Sequence, residues 1–312
     1  NKEKKVERDT VAAISTAASA GGIGIVRISG PSARAAADRI FKSKSGKKIA
    51  DTPGYHALYG HVYDGKDPVD EVIALVFAAP KSYTGEDVVE LSAHGGRVVL
   101  KKILRLCCEN GARLAEPGEF TKRAFLNGKM DLTEAEAVMD IIGAKSEDAA
   151  KAALFARDGA LSKELSAIKE EILSLSAWLS AWADFPEEDI PEVENEALLS
   201  RISLAKGRLQ KLVDTFDRGQ IVKSGVDTVI AGRTNAGKST LMNLLCGRES
   251  SIVTEIEGTT RDVITEEVAL GDIILKISDT AGLRETSDPV EKFGIDRARK
   301  RAGQAQLVLA VF

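Results

Sequence analysis

The stretch Gly232-Arg233-Thr234-Asn235-Ala236-Gly237-Lys238-Ser239 fits the spacing GxxxxGK(S/T). A loop of this kind curls consecutive backbone N–H groups around phosphate oxygens, with Lys238 reaching the β and γ phosphates and Ser239 ligating Mg²⁺ at a helix N-terminus. It needs a strand to deliver it and a helix to receive it. Val226 to Ala231 is a buried-type apolar run, and Leu241, Leu244 and Leu245 give the segment from Lys238 to Cys246 a helical spacing, so both supports are expected.

Two later segments suit the same ligand. Asp279-Thr280-Ala281-Gly282 follows the apolar run Ile273 to Ser278, where a strand-end aspartate can hold the Mg²⁺ shell and a glycine N–H can face the γ-phosphate. Thr259-Thr260, in the polar stretch between the two motifs, can lend a hydroxyl to Mg²⁺ when γ-phosphate is present. Lys238 and Asp279 stand 41 residues apart, and the order of the three segments is that of a small-GTPase-like nucleotide domain. Many such domains orient the attacking water with a glutamine shortly after the glycine. Here Leu283 follows Gly282, so the acid must come from elsewhere, and Glu285, Asp288 and Glu291 are near. Arg233, Arg261 and Arg284 form no patterned arginine finger and read as solvated side chains.

The elements around these residues fall into three stretches. From about Asp9 to Glu116, strand-like runs (Val11 to Ile14, Ile23 to Ile28, Tyr55 to Tyr63, Val69 to Phe77, Val88 to Ser92, Ala112 to Ala115) alternate with two helical ones. One of these helices opens at Pro31, in the first-turn position proline favours, and runs to Phe41; the other covers Val98 to Glu109, with Val99, Ile103 and Leu106 on one face. Lys42, Lys44, Lys47 and Lys48 read as a solvated loop. After Pro117-Gly118 the period lengthens from 2 to 3.6. Thr133 and Glu136 have capping-box spacing at the head of a helix predicted to reach about Asp158. Leu161, Leu165, Ile168, Ile172, Leu175, Leu179 and Trp182 form one apolar seam, and Leu198, Ile202, Ala205, Leu209, Leu212 and Phe216 a second; a bundle core of antiparallel helices accounts for both. The acidic, proline-bearing Phe185 to Glu196 connects them. Past Ser224 an α/β pattern returns, with a hairpin of Val263 to Leu270 and Ile273 to Ser278 around Gly271-Asp272, and a strand from Leu307 to Phe312. The expected fold class is therefore multi-domain α+β: an α+β domain over 1–118, a helical domain over 119–223, and a P-loop α/β domain over 224–312.

At 312 residues, 44% hydrophobic and 29% charged, the chain can fill more than one core. Forty-three Lys and Arg against 47 Asp and Glu leave a formal charge of −4, so any RNA contact must be local. Cys107, Cys108 and Cys246 form no CxxC pair, which argues against a zinc site or disulfide framework and for a reducing, cytoplasmic home. No apolar run approaches the roughly 18 residues of a membrane helix, and Asn1-Lys2-Glu3-Lys4-Lys5 leads into no signal-peptide core.

With these motifs in place the chain resembles the family of tRNA-modification GTPases called MnmE or TrmE, from about Asp9 to Phe312. Three further stretches carry the resemblance: Gly21 to Gly30 (GGIGIVRISG); Ser82 to Leu91 (SYTGEDVVEL) with His94-Gly95-Gly96; and Glu116 to Lys129 (EPGEFTKRAFLNGK). The resemblance implies an N-terminal domain that binds 5-formyl- or 5,10-methylene-tetrahydrofolate and forms a homodimer, a helical domain, and a G domain that hydrolyses GTP to GDP. It also implies a flavoprotein partner, MnmG (GidA), and tRNA as the substrate, modified by an aminomethyl-type group at C5 of the wobble uridine. Carried over by position, Asn235, Thr254, Ile256 (through its carbonyl) and Thr259 would hold K⁺ in place of an arginine finger. Ser239 and Thr260 would hold Mg²⁺, and Glu291 would act through water. Ala236, Gly237, Lys238, Ser239, Thr240, Thr280, Ala281 and Gly282 would line the nucleotide together with Asp279; Lys238 and Asn235 would share the catalytic role with Glu291. Arg27, Glu90 and Lys129 would contact folate, a basic residue suiting its carboxylates and an acid its pterin N–H edge. The guanine-reading NKxD motif is expected beyond Phe312, so guanine over adenine is not legible here. A GTP-dependent switch or ribosome-assembly factor fits the phosphate motifs equally well but has no use for Gly21 to Lys129. A folate module with an inactive nucleotide remnant is the third reading.

Overall fold

The computed structural model describes residues 9–17, 19–184, 195–232, 236–247, 265–278 and 303–312. It divides into two compact units, Asn1–Ala135 and Glu136–Phe312. In the first unit β1 (Val11–Ile14), β2 (Gly21–Ser29), α1 (Ala33–Ile40), β3 (Phe41–Ser43), β4 (His56–Asp64), β5 (Asp67–Phe77), β6 (Val88–Gly95), α2 (Arg97–Glu109), β7 (Arg113–Leu114) and α3 (Glu119–Leu126) follow in order. The strands form one sheet in the order β3-β4-β5-β6-β2-β1-β7, antiparallel except for the parallel β1–β7 pair.

Register decides what each face of this sheet carries. Val26 opposes Leu91, Leu91 opposes Ala74 and Ala74 opposes Leu58, so one row of apolar side chains crosses four strands. That row packs with Ala33, Ala37 and Ile40 of α1 and with Leu100, Ile103, Leu106 and Cys107 of α2 to make the core. Alternation along each strand then places the neighbouring row, Arg27 opposite Glu90 opposite Leu75, on the face without these helices.

Several local expectations shift. Ala33 N–H donates to the Gly30 carbonyl (3.1 Å), so Pro31 occupies the second position of a turn, Ser32 caps α1, and the helix begins two residues later than expected. Phe41 belongs to β3, a short edge strand that takes Lys42 out of the expected loop. The Lys42 ammonium lies 4.7 Å from the Tyr63 ring centroid, and Lys44 lies 4.4 Å from that of Tyr59 while pairing with Glu71 at 2.8 Å. Those two lysines are therefore held by partners rather than simply solvated.

The second unit contains most of α4 (Leu132–Gly143), then α5 (Glu147–Arg157), α6 (Ala160–Asp184), α7 (Asn195–Asp214), α8 (Phe216–Ser224), β8 (Val226–Gly232), α9 (Lys238–Cys246), β9 (Thr265–Leu270), β10 (Ile273–Ser278) and β11 (Leu307–Val311). The capping box sits two residues before its expected place. Asp131 Oδ1 accepts from Glu134 N–H (2.9 Å) and Glu134 Oε2 accepts from Asp131 N–H (2.8 Å), while Thr133 donates to Asp131. The helix that follows is two helices, because α4 ends at Gly143 and Ser146, with extended backbone, accepts from Ala149 N–H (3.1 Å) to start α5 afresh.

Helices α6 and α7 run antiparallel. Moving seven residues up α6, from Glu164 to Glu171, moves the partner seven down α7, from Arg208 (2.9 Å) to Arg201 (3.6 Å). Of the two seams, Ile168, Leu175 and Ala205 are buried, whereas Leu161, Leu165, Ile172, Leu179, Trp182, Ile202 and Leu209 are exposed. A pair of helices closes only a narrow stripe, so these positions do not yet form the expected bundle core.

The second sheet has the order β11-β8-β10-β9, with β8 parallel to both β10 and β11 and β9 antiparallel at the edge. Ile230, Val268, Leu275 and Ile277 form its core, against which Leu241, Met242 and Leu245 of α9 pack.

Candidate functional site

Arg27 and Glu90 lie opposite each other on β2 and β6, and the Arg27 Nε–H donates to Glu90 Oε1 at 2.7 Å. Among the described residues the two terminal guanidinium nitrogens of Arg27 have no hydrogen-bond partner, which leaves a two-pronged donor beside a carboxylate. Two rings pack on the same guanidinium: Arg27 Cζ is 5.4 Å from the centroid of Tyr83 and 5.4 Å from that of Phe120. Tyr83 comes from the 80–87 connection between β5 and β6, and its hydroxyl bonds Thr121 on α3 (2.9 Å). Lys129 reaches the other end of this connection, donating from Nζ to the Pro80 carbonyl at 3.3 Å. Of the three residues expected to contact folate, Arg27 and Glu90 pair directly, and Lys129 bonds the connection that carries Tyr83.

That loop is held by a chain of polar contacts. Ser29 Oγ lies 2.7 Å from Thr84 Oγ1 and donates to Glu86 Oε2 at 2.8 Å. Glu86 in turn faces Arg123 of α3 at 3.3 Å. Arg123 also donates to the Asp9 carbonyl (2.8 Å), to Asp9 Oδ1 (2.6 Å) and to Glu119 Oε1 (2.9 Å). Arg113 on β7 grips both oxygens of Glu119, at 2.7 and 2.9 Å. The Arg113 bond, first among the causes, holds the Glu119 carboxyl down to about 2 despite burial. For Asp9 burial pulls upward, yet the hydrogen bonds from Arg113 and Arg123 outweigh it and the net shift is down. Gly85 completes the junction with a left-handed φ of +77°, and a Cβ there would fall 3.2 Å from Asn127 Cβ and Lys129 Cγ. Nothing in the sequence pattern assigned a role to Tyr83, Phe120, Glu86 or Arg123, although all four lie in the stretches that carried the resemblance; their contacts span many residues and no local period reports them.

The phosphate-loop residues occupy a strand-to-helix junction. β8 ends at Gly232, and α9 starts at Lys238 after Gly237 in the left-handed region (φ +94°), so the backbone N–H groups of Lys238, Ser239 and Thr240 lie in the first turn of the helix. Lys238 Nζ turns back to the Gly232 carbonyl at 3.0 Å, closing the junction. Because β8 has a parallel neighbour on each side, its C-terminal end lies at the topological switch point of the sheet, where open α/β sheets bind ligands. Ala236 precedes Gly237. Asn235, Thr254, Ile256, Thr259, Thr260, Asp279, Thr280, Ala281, Gly282 and Glu291 lie outside the described residues, as do Leu283, Glu285 and Asp288. Of the proposed metal ligands, Ser239 alone is described, exposed at the start of α9. The described residues contain no cluster of three His, Cys, Asp or Glu side chains arranged for a metal ion, and no helix long and apolar enough to cross a membrane.

Residues 10–129 match the family model for the GTP-binding protein TrmE N-terminus, and residues 132–307 match that for the MnmE helical domain. The chain belongs to the MnmE family. Among curated MnmE proteins, the tRNA modification GTPase MnmE of Acetivibrio thermocellus is 45% identical over 306 residues, covering 97% of this chain and 66% of its own length. Those of Carboxydothermus hydrogenoformans and Geobacillus thermodenitrificans are each 47% identical, over 305 and 308 residues. The alignments cover 97% and 98% of this chain and 66% and 67% of those two MnmE proteins. The chain spans about two thirds of the length of the MnmE relatives it matches.

Proposed function

We propose that this MnmE-family chain works as a GTPase in tRNA modification, installing with a flavoprotein partner of the MnmG (GidA) type an aminomethyl-type group at C5 of the wobble uridine. The one-carbon unit would come from 5-formyl- or 5,10-methylene-tetrahydrofolate. The observation that carries the reading is the presence in one chain of the GxxxxGK(S/T) motif between β8 and α9, at a strand-to-helix switch point, and of the Arg27–Glu90 pair, whose outer guanidinium nitrogens have no partner among the described residues. A ribosome-assembly GTPase would account for the first feature and leave the second without a use.

The division of labour follows the domains 1–118, 119–223 and 224–312. The ammonium of Lys129 suits the carboxylates of a folate, and the Arg27–Glu90 pair, whose groups are in contact, suits its pterin end: Glu90 accepts from the N–H edge and the donor prongs of Arg27 face the adjoining ring acceptors. In the G domain Ala236 to Thr240 cradle the phosphates, Ser239 and Thr260 hold Mg²⁺, and Asn235, Thr254, Ile256 and Thr259 hold K⁺. Asp279 to Gly282 face the γ-phosphate, and Glu291 orients water. The two cations would supply positive charge where it builds up on the phosphate oxygens during transfer. The protein would act as a cytoplasmic homodimer.

The test is GTP hydrolysis by the full-length protein in K⁺ and in Na⁺. Hydrolysis is much faster in K⁺, and Asn235→Ala removes the difference. Glu291→Ala lowers kcat by ~10²–10⁴, the range for losing a positioned acid–base group, with nucleotide affinity nearly intact. Equal rates in the two salts would eliminate the cation mechanism.

A further inference from the structure

The folate reading names charged residues, yet two aromatic rings also pack on the Arg27 guanidinium. Arginine is long and rich in rotamers, and fixing such a side chain when a ligand arrives costs about 0.5–1.5 kcal/mol. Here three elements fix it beforehand: β6 through Glu90, the 80–87 connection through Tyr83, and α3 through Phe120. The Nε–Glu90 bond restrains one edge of the guanidinium, while ring contacts at 5.4 Å restrain its plane without using either of the outer nitrogens. Both rings are half-buried, and both are themselves anchored: Tyr83 by Thr121, and Phe120 by its place one residue after Glu119 in the Arg113–Arg123 network.

We infer that Tyr83 and Phe120 are positioning residues for ligand binding, holding the Arg27 guanidinium so that its two outer nitrogens present a pre-formed fork to the planar acceptor groups of the ligand. The inference rests on the folate reading of this face. It goes beyond that reading by making affinity depend on two uncharged side chains that act through Arg27 rather than on the ligand. It also predicts that the rings matter through their π faces: a ring can be exchanged for another ring but not for an aliphatic side chain of similar bulk.

The experiment is calorimetric titration of the 312-residue chain with 5-formyl-tetrahydrofolate, for the unmutated protein, Phe120→Leu, Phe120→Tyr, Arg27→Ala and the double variant Arg27→Ala/Phe120→Leu. Circular dichroism and a urea midpoint show that each variant is folded. Phe120→Leu weakens binding by about 2- to 12-fold, the cost of immobilising one long side chain converted at about 1.4 kcal/mol per tenfold. Phe120→Tyr returns affinity to within about 2-fold of the unmutated chain, as expected if the ring face is what matters. In the Arg27→Ala background the same Leu substitution changes affinity by less than about 2-fold, because the group it positions is gone. Tyr83→Leu, measured alongside, follows the same pattern and guards against misfolding of α3 in the Phe120 variants. If both Leu variants bind as the unmutated chain does, or if their losses persist undiminished without Arg27, the inference is overturned while the folate reading stands. If the unmutated chain gives no binding heat and no competition with a labelled folate, the folate reading fails and this inference fails with it.

Discussion

Arg123 is 11% exposed and donates to Asp9, Glu86 and Glu119, so its removal would leave three carboxylates close together with only Arg113 to compensate. Arg123→Met should therefore destabilise the first unit by about 3–5 kcal/mol, the range for breaking a buried pair from one side, measured by urea unfolding. A loss below about 1 kcal/mol, the value of an exposed pair, would mean that water screens the network. The same network has a pH signature. Glu119 is held to about 2 in the folded chain against 4.5 for its ordinary value, so it binds protons less readily when folded. Its contribution is complete above about pH 4.5 and is lost as pH falls through 2. Unfolding midpoints of the unmutated chain should fall across that window, and Glu119→Gln should flatten the fall while lowering the midpoint at neutral pH. A fall of equal steepness in both proteins would assign the acid sensitivity to other carboxylates.

Among the elements, the connection between β5 and β6 carries the most consequence for ligand binding, and Gly85 is its weak point. A side chain there meets both a left-handed backbone and the stems of Asn127 and Lys129, so Gly85→Val should destabilise by more than about 1 kcal/mol, outweighing the ~0.4–1 kcal/mol that replacing a glycine gains at an unstrained site. It should also weaken 5-formyl-tetrahydrofolate binding, since it displaces Tyr83 and Lys129 together. Normal stability and affinity in that variant would show that the loop yields without cost. Most elements of this unit were legible in the sequence because strand alternation and helical spacing are local: β2, β5, β6 and α2 lie where the pattern put them. The failures are local ambiguities resolved by tertiary contact. β3 has only three residues and reads as part of a lysine-rich loop until its pairing with β4 is seen. Gly143-Ala144-Lys145-Ser146 holds no proline to mark a break, and only the cap at Ser146 reveals two helices. Pro31 is as acceptable in a turn as in a first helical turn, and the Ala33-to-Gly30 hydrogen bond decides.

At the scale of the whole molecule, the two proposed ligand sites, of different chemistry, belong to separate units of one chain. The supports of the proposed nucleotide site were legible, because a phosphate loop is a contiguous motif flanked directly by them, and β8 and α9 stand at the expected positions. The folate site was not legible from pattern. Arg27 and Glu90 are 63 residues apart and meet only through strand register; family resemblance singled them out, and resemblance gave no hint of the rings beside them. The claim most specific to this protein is that the Arg27–Glu90 face of the first sheet takes a tetrahydrofolate. Calorimetric titration with 5-formyl-tetrahydrofolate tests it most directly, using the 312-residue chain, its Arg27→Ala variant and a chain cut after Ser224. Saturable binding should be retained in the shortened chain and weakened by about 1–3 kcal/mol in Arg27→Ala, the range for one charge-assisted hydrogen bond. Unchanged affinity in Arg27→Ala, or binding that disappears with the residues after Ser224 while the shortened chain remains folded and dimeric, would contradict the account.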